Sequence, residues 1–380
     1  MGNTCNELLQ YCLRGEPWPD SLLDRALAID DGRAFLSIVV ERLGDLFEPR
    51  LCEIYNRLLT EVILRTAPDL ASRLRNPNQR AAAPASTNRV YVLSRVTLGA
   101  DVAVTSVMLD AAKRRYPSAE VVLVGPRKSY ELFEADPRIK HLPAPYARSA
   151  ALRDRLQASA SLWLEDGIVI DPDSRLSQLG LLSVCEEPNY FHFPSRAYGG
   201  DGDEPLARLA ERWALQIFGV EGAKPYIAPL ASAEPPADIA VSLGVGENAA
   251  KRLDDVQECE LLRALAETGA SILVDKGGSA EERARVERAL LPGMRTHDGA
   301  FAPFAAHIAR SKLFVGYDSA GGHVASACGV PLISIAKGFV TERMAARWRP
   351  NGVVLTESEV GQVHDLSQKI LTGHGPILLR

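Results

Sequence analysis

The chain has 380 residues, 24% of them charged and 46% apolar, and carries a formal net charge of −5. That is the profile of a globular protein long enough for two or three domains, and its acidic balance argues against a nucleic-acid partner. The N-terminus MGNTCNELLQ lacks the basic-then-apolar order of an export signal, and no run of about 18 apolar residues exists to span a membrane, so a cytoplasmic location is expected.

Residues 1–75 read as helical. Leu8, Leu9, Cys12 and Leu13 form one apolar stripe, and Phe35, Leu36, Val39, Val40 and Leu43 a second. The clearest stripe is Leu51, Ile54, Tyr55, Leu58, Leu59, Val62 and Ile63, spaced i, i+3, i+4, i+7. Packing or contact with a protein partner is the expected role of this region. RNPNQRAAAPASTN (75–88) is polar and Ala/Pro-rich, a linker by composition. At Arg89 the texture changes. RVYVLSRV reads as a strand, residues 102–116 as an amphipathic helix, AEVVLVG (119–125) as a buried strand and SYELFEA (129–135) as a helix, together a βαβ unit on a parallel sheet. LWLEDGIVIDPD (162–173) contributes another strand, and residues 205–220 a long helix.

A second Pro/Ala-rich connector (225–238) leads into IAVSLGVG, helix ECELLRALAETG, strand SILVDKGG and helix EERARVERALL. FAPFAAHIARS (301–311) is the helix before KLFVGYDSAGGHVASACGVPLISIA (312–336). In this last stretch a buried strand, Leu313 to Tyr317, runs into a turn that opens a helix at Asp318–Gly322, and a second apolar strand follows Gly329. The start of such a helix presents unpaired N–H groups and the positive end of its dipole, which is where anions bind in open α/β folds. Ser319, Ala320, Gly321 and Gly322 are small enough to let a phosphate reach the backbone. The alternative is a plain strand–helix junction with Asp318 or Ser319 as N-cap. The expected architecture is α/β: a helical region and linker over 1–85, a Rossmann-like domain over 86–230 and a second over 231–380, facing across a cleft.

Three motifs in this order resemble the ADP-heptose:lipopolysaccharide heptosyltransferase family, glycosyltransferase family 9. Asp318-Ser319-Ala320-Gly321-Gly322-His323, followed by Gly329-Val330-Pro331, is similar to its D-[ST]-G-x-x-H and G-V-P signature. Arg95, Asp101 and Thr105 stand at the offsets of its R-x-x-x-x-G-D-x-x-x-T motif, and GENAAKR (246–252) looks like its G-x-x-x-x-K-R/H loop. The likeness spans about residues 88–372. It implies the GT-B fold and a nucleotide-sugar donor held mainly by the C-terminal domain. It also implies inverting transfer, without a metal or other cofactor, to a glycan or lipid-linked acceptor in lipopolysaccharide biosynthesis, with peripheral contact at the inner membrane.

By position, the resemblance makes Asp101 the general base and gives Lys251, with Arg252, the leaving diphosphate to neutralise. Ser319 to Gly321 would hold that diphosphate through backbone N–H groups, next to Asp318, Gly322 and His323. Gly246 opens the basic loop, and Glu281 or Glu282 would meet the nucleotide ribose. The chain departs from the family pattern at Ala100, with Gly99 displaced by one, at Ala320, at Val107 and at Ile335–Phe339, which bears on donor identity and on turnover.

Plainer readings stand beside these. Asp101 is alternatively a helix cap, and Lys251 and Arg252 solvated surface charges. Asp171-Pro172-Asp173 and Asp201-Gly202-Asp203 look like metal-binding D-x-D motifs but read better as a strand-end carboxylate and a solvent loop. Six cysteines without a C-x-x-C pair give no metal spacing, even if Cys5, Cys12 and Cys52 were to meet. The rival functions are a non-catalytic nucleotide-sugar binder, a sugar-nucleotide epimerase and a serine esterase with its elbow at Gly316–Gly322. Against the esterase, Tyr317 stands two residues before Ser319, where the strained elbow needs glycine.

Overall fold

The computed structural model describes residues 2–75, 82–245, 249–338 and 341–373. Two parallel sheets carry it. The first comprises β1 (Arg89–Leu93), β2 (Glu120–Gly125), β3 (Ile139–Pro143), β4 (Ile168–Asp171) and β5 (Tyr190–His192), in the order β3-β2-β1-β4-β5. The second comprises β6 (Ile239–Ser242), β7 (Ile272–Asp275), β8 (Arg295–His297), β9 (Leu313–Tyr317), β10 (Leu332–Ala336) and β11 (Val353–Thr356), in the order β11-β10-β9-β6-β7-β8.

Strand order reverses beside β1 in the first sheet and beside β6 in the second. The loops leaving β1 and β4, and those leaving β6 and β9, therefore part to opposite faces. Crevices at such switch points are the usual ligand sites of open α/β sheets.

The central strands are the apolar runs visible in the sequence, and every residue of β9 is buried. One apolar cluster continues from Val90, Val107 and Trp213 in the first domain to Phe314, Val324 and Leu332 in the second. Four strands escaped the sequence reading: β3, β5, β8 and β11. All are sheet edges of three to five residues, three of them with mixed exposure, and so carry little hydrophobic period. Residues 129–135 do not form the expected helix. A single helical turn, Arg127–Tyr130, gives way to turns ahead of Pro137.

The helical region is not a detached preamble. Its main helix, Pro49–Thr66, and its neighbours share a core with Leu152, Leu156, Leu179, Leu181 and Leu182 of the first α/β domain. Arg73 donates to the carbonyls of Ala160 (2.8 Å), Leu162 (2.7 Å) and Ser183 (2.9 Å), and Arg75 pairs with Glu187. Glu41 pairs with Arg148, and Leu74 bridges to Leu182. Helices this short need an apolar partner to persist, and the LSQLGLLSVC segment after β4 supplies one.

Candidate active site

Asp318 follows β9, and Ser319, in extended conformation (φ −152°, ψ 179°), is the N-cap of the helix Ala320–Cys328. A capping serine normally accepts a hydrogen bond from the second or third helical N–H. Here the Oγ of Ser319 is buried and has no hydrogen-bond partner among the described residues. Gly321 lies on the ring of Phe314, which any Cβ would overlap, so helix–strand packing requires glycine there. Ala320, by contrast, has ordinary helical backbone, and its departure from the family glycine carries no left-handed strain.

Lys251 closes the turn Ala249–Lys251 after β6, with Nζ 2.5 Å from Asp318 Oδ2 and both side chains largely buried. Gly338, at φ +70°, holds that turn from behind: a Cβ would stand 2.5 Å from the carbonyl oxygen of Ala250. Arg252 points elsewhere. It pairs with Asp255 and approaches Glu258 (3.5 Å), a fully buried carboxylate that also takes Arg285 and the Tyr317 hydroxyl (2.6 Å). Its place beside the diphosphate is thus corrected to a network inside the C-terminal domain. The tyrosine that spoils an esterase elbow is the hub of that network, since its hydroxyl also accepts from Leu253 N–H (3.0 Å). Glu281 is exposed, whereas Glu282 caps its helix through the N–H groups of Gly278 and Ser279. Gly246 lies outside the described residues.

The matching turn of the first domain is built on strain. Val96, a β-branched residue in the turn that follows β1, sits at φ +60°, a conformation held only where its surroundings enforce it. That turn folds three donors around Asp101, which is fully buried. Its Oδ2 accepts from Ser94 Oγ (2.8 Å), and its Oδ1 from Arg95 N–H (2.7 Å) and Thr105 Oγ1 (2.7 Å). Burial pushes this carboxyl's pKa up, against the pull of those hydrogen bonds. The carboxylate expected to face the cleft is therefore turned inward, where it holds the turn. Sequence offset places a residue at a strand end without saying which way its side chain points.

The two switch points do meet. The helical turn Leu98–Ala100 packs on the helix Ala320–Cys328, and a Cβ on Gly99 would come within 3.0 Å of the His323 ring and 3.4 Å of Ala320 Cα. His323 stacks edge-on against Trp348 at 5.8 Å. Burial, and then Lys251, lower the pKa of His323 against the opposing pull of Asp318, so it is neutral at pH 7. A folded-state pKa below the unfolded value of about 6.5 leaves stability intact above that pH and erodes it as pH falls. His323→Gln is expected to shrink the loss between about pH 6.5 and 5 in urea titrations, leaving the share of His307, whose pKa burial also lowers.

Several residues unremarked in the sequence assemble beside this junction. A cavity of about 60 Å³ is lined by Asp45, Arg95, Thr97, Ala100, Arg175 and Trp348, and closed by Asp173, Leu179 and Arg196. Trp348 reaches it because its helix, Glu342–Trp348, is strapped to the first domain. Arg343 bonds Asp201 (3.0 Å), Arg347 donates to the carbonyls of Glu204 (3.0 Å) and Gly200 (2.9 Å), and Phe47 packs edge-on against Trp348.

Three of the four carboxylates in the two D-x-D motifs are bonded to neighbouring groups. Asp171 accepts from Ser174 N–H (2.6 Å), Ser177 and Tyr190; Asp173 is held by Arg196, His192 and Ser195; Asp201 takes part in the strap. Among the described residues no three His, Cys, Asp or Glu side chains are grouped to hold a metal ion, and no helix is long and apolar enough to cross a membrane.

Two Rossmann-like sheets whose switch points face each other, one ending in a helix N-terminus beside a lysine, define a GT-B glycosyltransferase fold. Residues 236–360 match Glycosyltransferase family 9 (heptosyltransferase). Among solved structures, the family 9 glycosyl transferase from Veillonella parvula is similar at 16% identity and a TM-score of 0.56, over 77% of this chain and 99% of that one. The E. coli heptosyltransferase WaaC with ADP is similar at 15% identity and a TM-score of 0.55, over 76% and 100% of the two chains. The E. coli ADP-heptose lps heptosyltransferase II is similar at 16% and 0.53, over 75% and 99%. At these identities the likeness establishes the fold. Curated proteins contain no match.

Proposed function

We propose that the chain transfers a sugar, heptose by its family's name, from a nucleotide-diphosphate donor to a hydroxyl of a surface glycan, with inversion and without a metal. The observation that carries this reading is the uncommitted helix start at Ser319–Gly322. There a buried hydroxyl without a hydrogen-bond partner among the described residues, and the first N–H groups of a helix, stand beside Lys251, at the contact between the two switch points. The amides and Ser319 Oγ would hold the diphosphate, Lys251 would neutralise it as it leaves, and neutral His323 would bond a phosphate oxygen. Glu281 is the exposed carboxylate left for the ribose. Asp101 would serve as base only by releasing one of its three donors to the acceptor hydroxyl. A lipid-linked acceptor would bring the protein to the inner face of the membrane from the cytoplasm.

The test is a thermal-shift panel of ADP-, UDP- and GDP-sugars. A donor at a hundred times its Kd stabilises the fold by about 2.7 kcal/mol, and an ADP-sugar is the expected hit. No shift with any nucleotide would overturn the reading. The inward turn of Asp101 favours one second reading, a donor-binding protein without turnover. Donor that binds but is never consumed, with glycan acceptors present, would identify it.

A further inference from the structure

A larger cavity, about 580 Å³, lies away from the helix start, between the helical region and the edge of the first sheet. One wall is the start of the helix Pro49–Thr66, with Cys52, Glu53 and Asn56. The other comes from β5, the loop after it and the helix Leu206–Phe218, with His192, Tyr198, Trp213 and Gln216. Its volume falls within the range of about 300–1,000 Å³ typical of small-molecule sites.

The lining selects a ligand class. Glu53, Asn56 and Gln216 are carboxylate and amide groups suited to hydroxyls, set among the aromatic rings of Tyr198 and Trp213. Charge disfavours an anion here. The one guanidinium of its lining, Arg196, gives its Nε and Nη2 to Asp173 (3.0 and 3.3 Å), so these two charges cancel and Glu53 is left as the net charge.

The partition between this cavity and the small one beside Ala100 is the second observation. Asp173, Leu179 and Arg196 line both. Asp173 (φ +66°), Gln178 (φ +52°) and Leu179 (φ +59°) are held in left-handed backbone there, a strained conformation that clusters at functional sites. Beyond the partition stand Thr97, Ala100 and Trp348, and Trp348 stacks on His323 at the candidate phosphate loop.

We propose that this cavity binds a neutral sugar ring, and that the helical region thereby supplies one wall of the acceptor site. The acceptor role rests on the function proposed above; the sugar binding does not. Saturation-transfer NMR on the full chain, with the methyl α-glycosides of glucose, galactose and mannose and with glucuronate as the charged control, tests it. At least one neutral glycoside should receive saturation, undiminished by saturating ADP. Asn56→Trp, which fills the cavity from a half-buried wall position, should weaken that binding at least tenfold while ADP still binds. Gln216→Trp on the exposed opposite wall gives the same readout if Asn56→Trp melts early. Absence of transfer to all three neutral glycosides, preference for glucuronate, displacement by ADP, or undiminished binding in the folded variants would each overturn the proposal. Failure of ADP to bind the wild-type chain would instead remove the donor reading and leave the glycoside result to decide the cavity.

Discussion

Asp173→Ala should destabilise the fold by about 3–5 kcal/mol, the usual result of leaving one member of a buried ion pair without its partner. Asp173 is fully buried and accepts from Arg196 Nε (3.0 Å), Ser195 Oγ (2.9 Å) and Arg196 N–H (3.2 Å), with His192 Nε2 at 3.2 Å. Burial works against its charge, but Arg196, His192 and Arg95 prevail and hold the carboxyl well below the ordinary carboxylate range. A depressed folded-state pKa contributes stability that is complete above the unfolded value of about 3.9 and is lost only as pH falls through the lower folded value. The deficit of the variant should therefore be constant from about pH 5 to 8. Urea titrations across that range check it, and a deficit under about 1 kcal/mol would show that the pair is dispensable. The double variant Asp173→Leu with Arg196→Met should recover much of the stability, because removing both charges avoids the stranded guanidinium. It should not recover sugar binding, since both side chains line the cavity.

Lys251→Ala should lower kcat/KM by about 10²–10³, the usual effect of deleting a charge-stabilising donor at a leaving group. The loss should be severe because Asp318, 2.5 Å away and mostly buried, would then face the diphosphate with its negative charge unopposed by lysine. Lys251→Arg should restore part of the activity, limited by the fork's different reach. Arg252→Ala is the contrast. Its partners are Asp255 and Glu258, so it should reduce stability and leave nucleoside-diphosphate release nearly unchanged. Measured release that fell further in Arg252→Ala than in Lys251→Ala would reverse the two assignments.

How much of this was legible beforehand differs by element. β1, β2, β9 and β10 announced themselves because strands buried on both faces must be apolar along their whole length. The stripe from Leu51 to Ile63 marked its helix because one face alone is covered. The helix start at Ser319–Gly322 was legible because a backbone packed as closely as Gly321 is on Phe314 tolerates only small side chains. The edge strands were not, since their exposed side carries no pattern.

Local composition by itself determined the strand–helix alternation, the two Rossmann-like halves and the small-residue helix start. Those properties depend on periodicity and side-chain size, which neighbours in the chain already specify. Only the tertiary structure decided that Asp101 faces inward, that Arg252 serves an internal network, and that the helical region walls a cavity with His192 and Trp213. Each of these depends on a side chain's direction and on partners tens to hundreds of residues away, and spacing along the chain encodes neither.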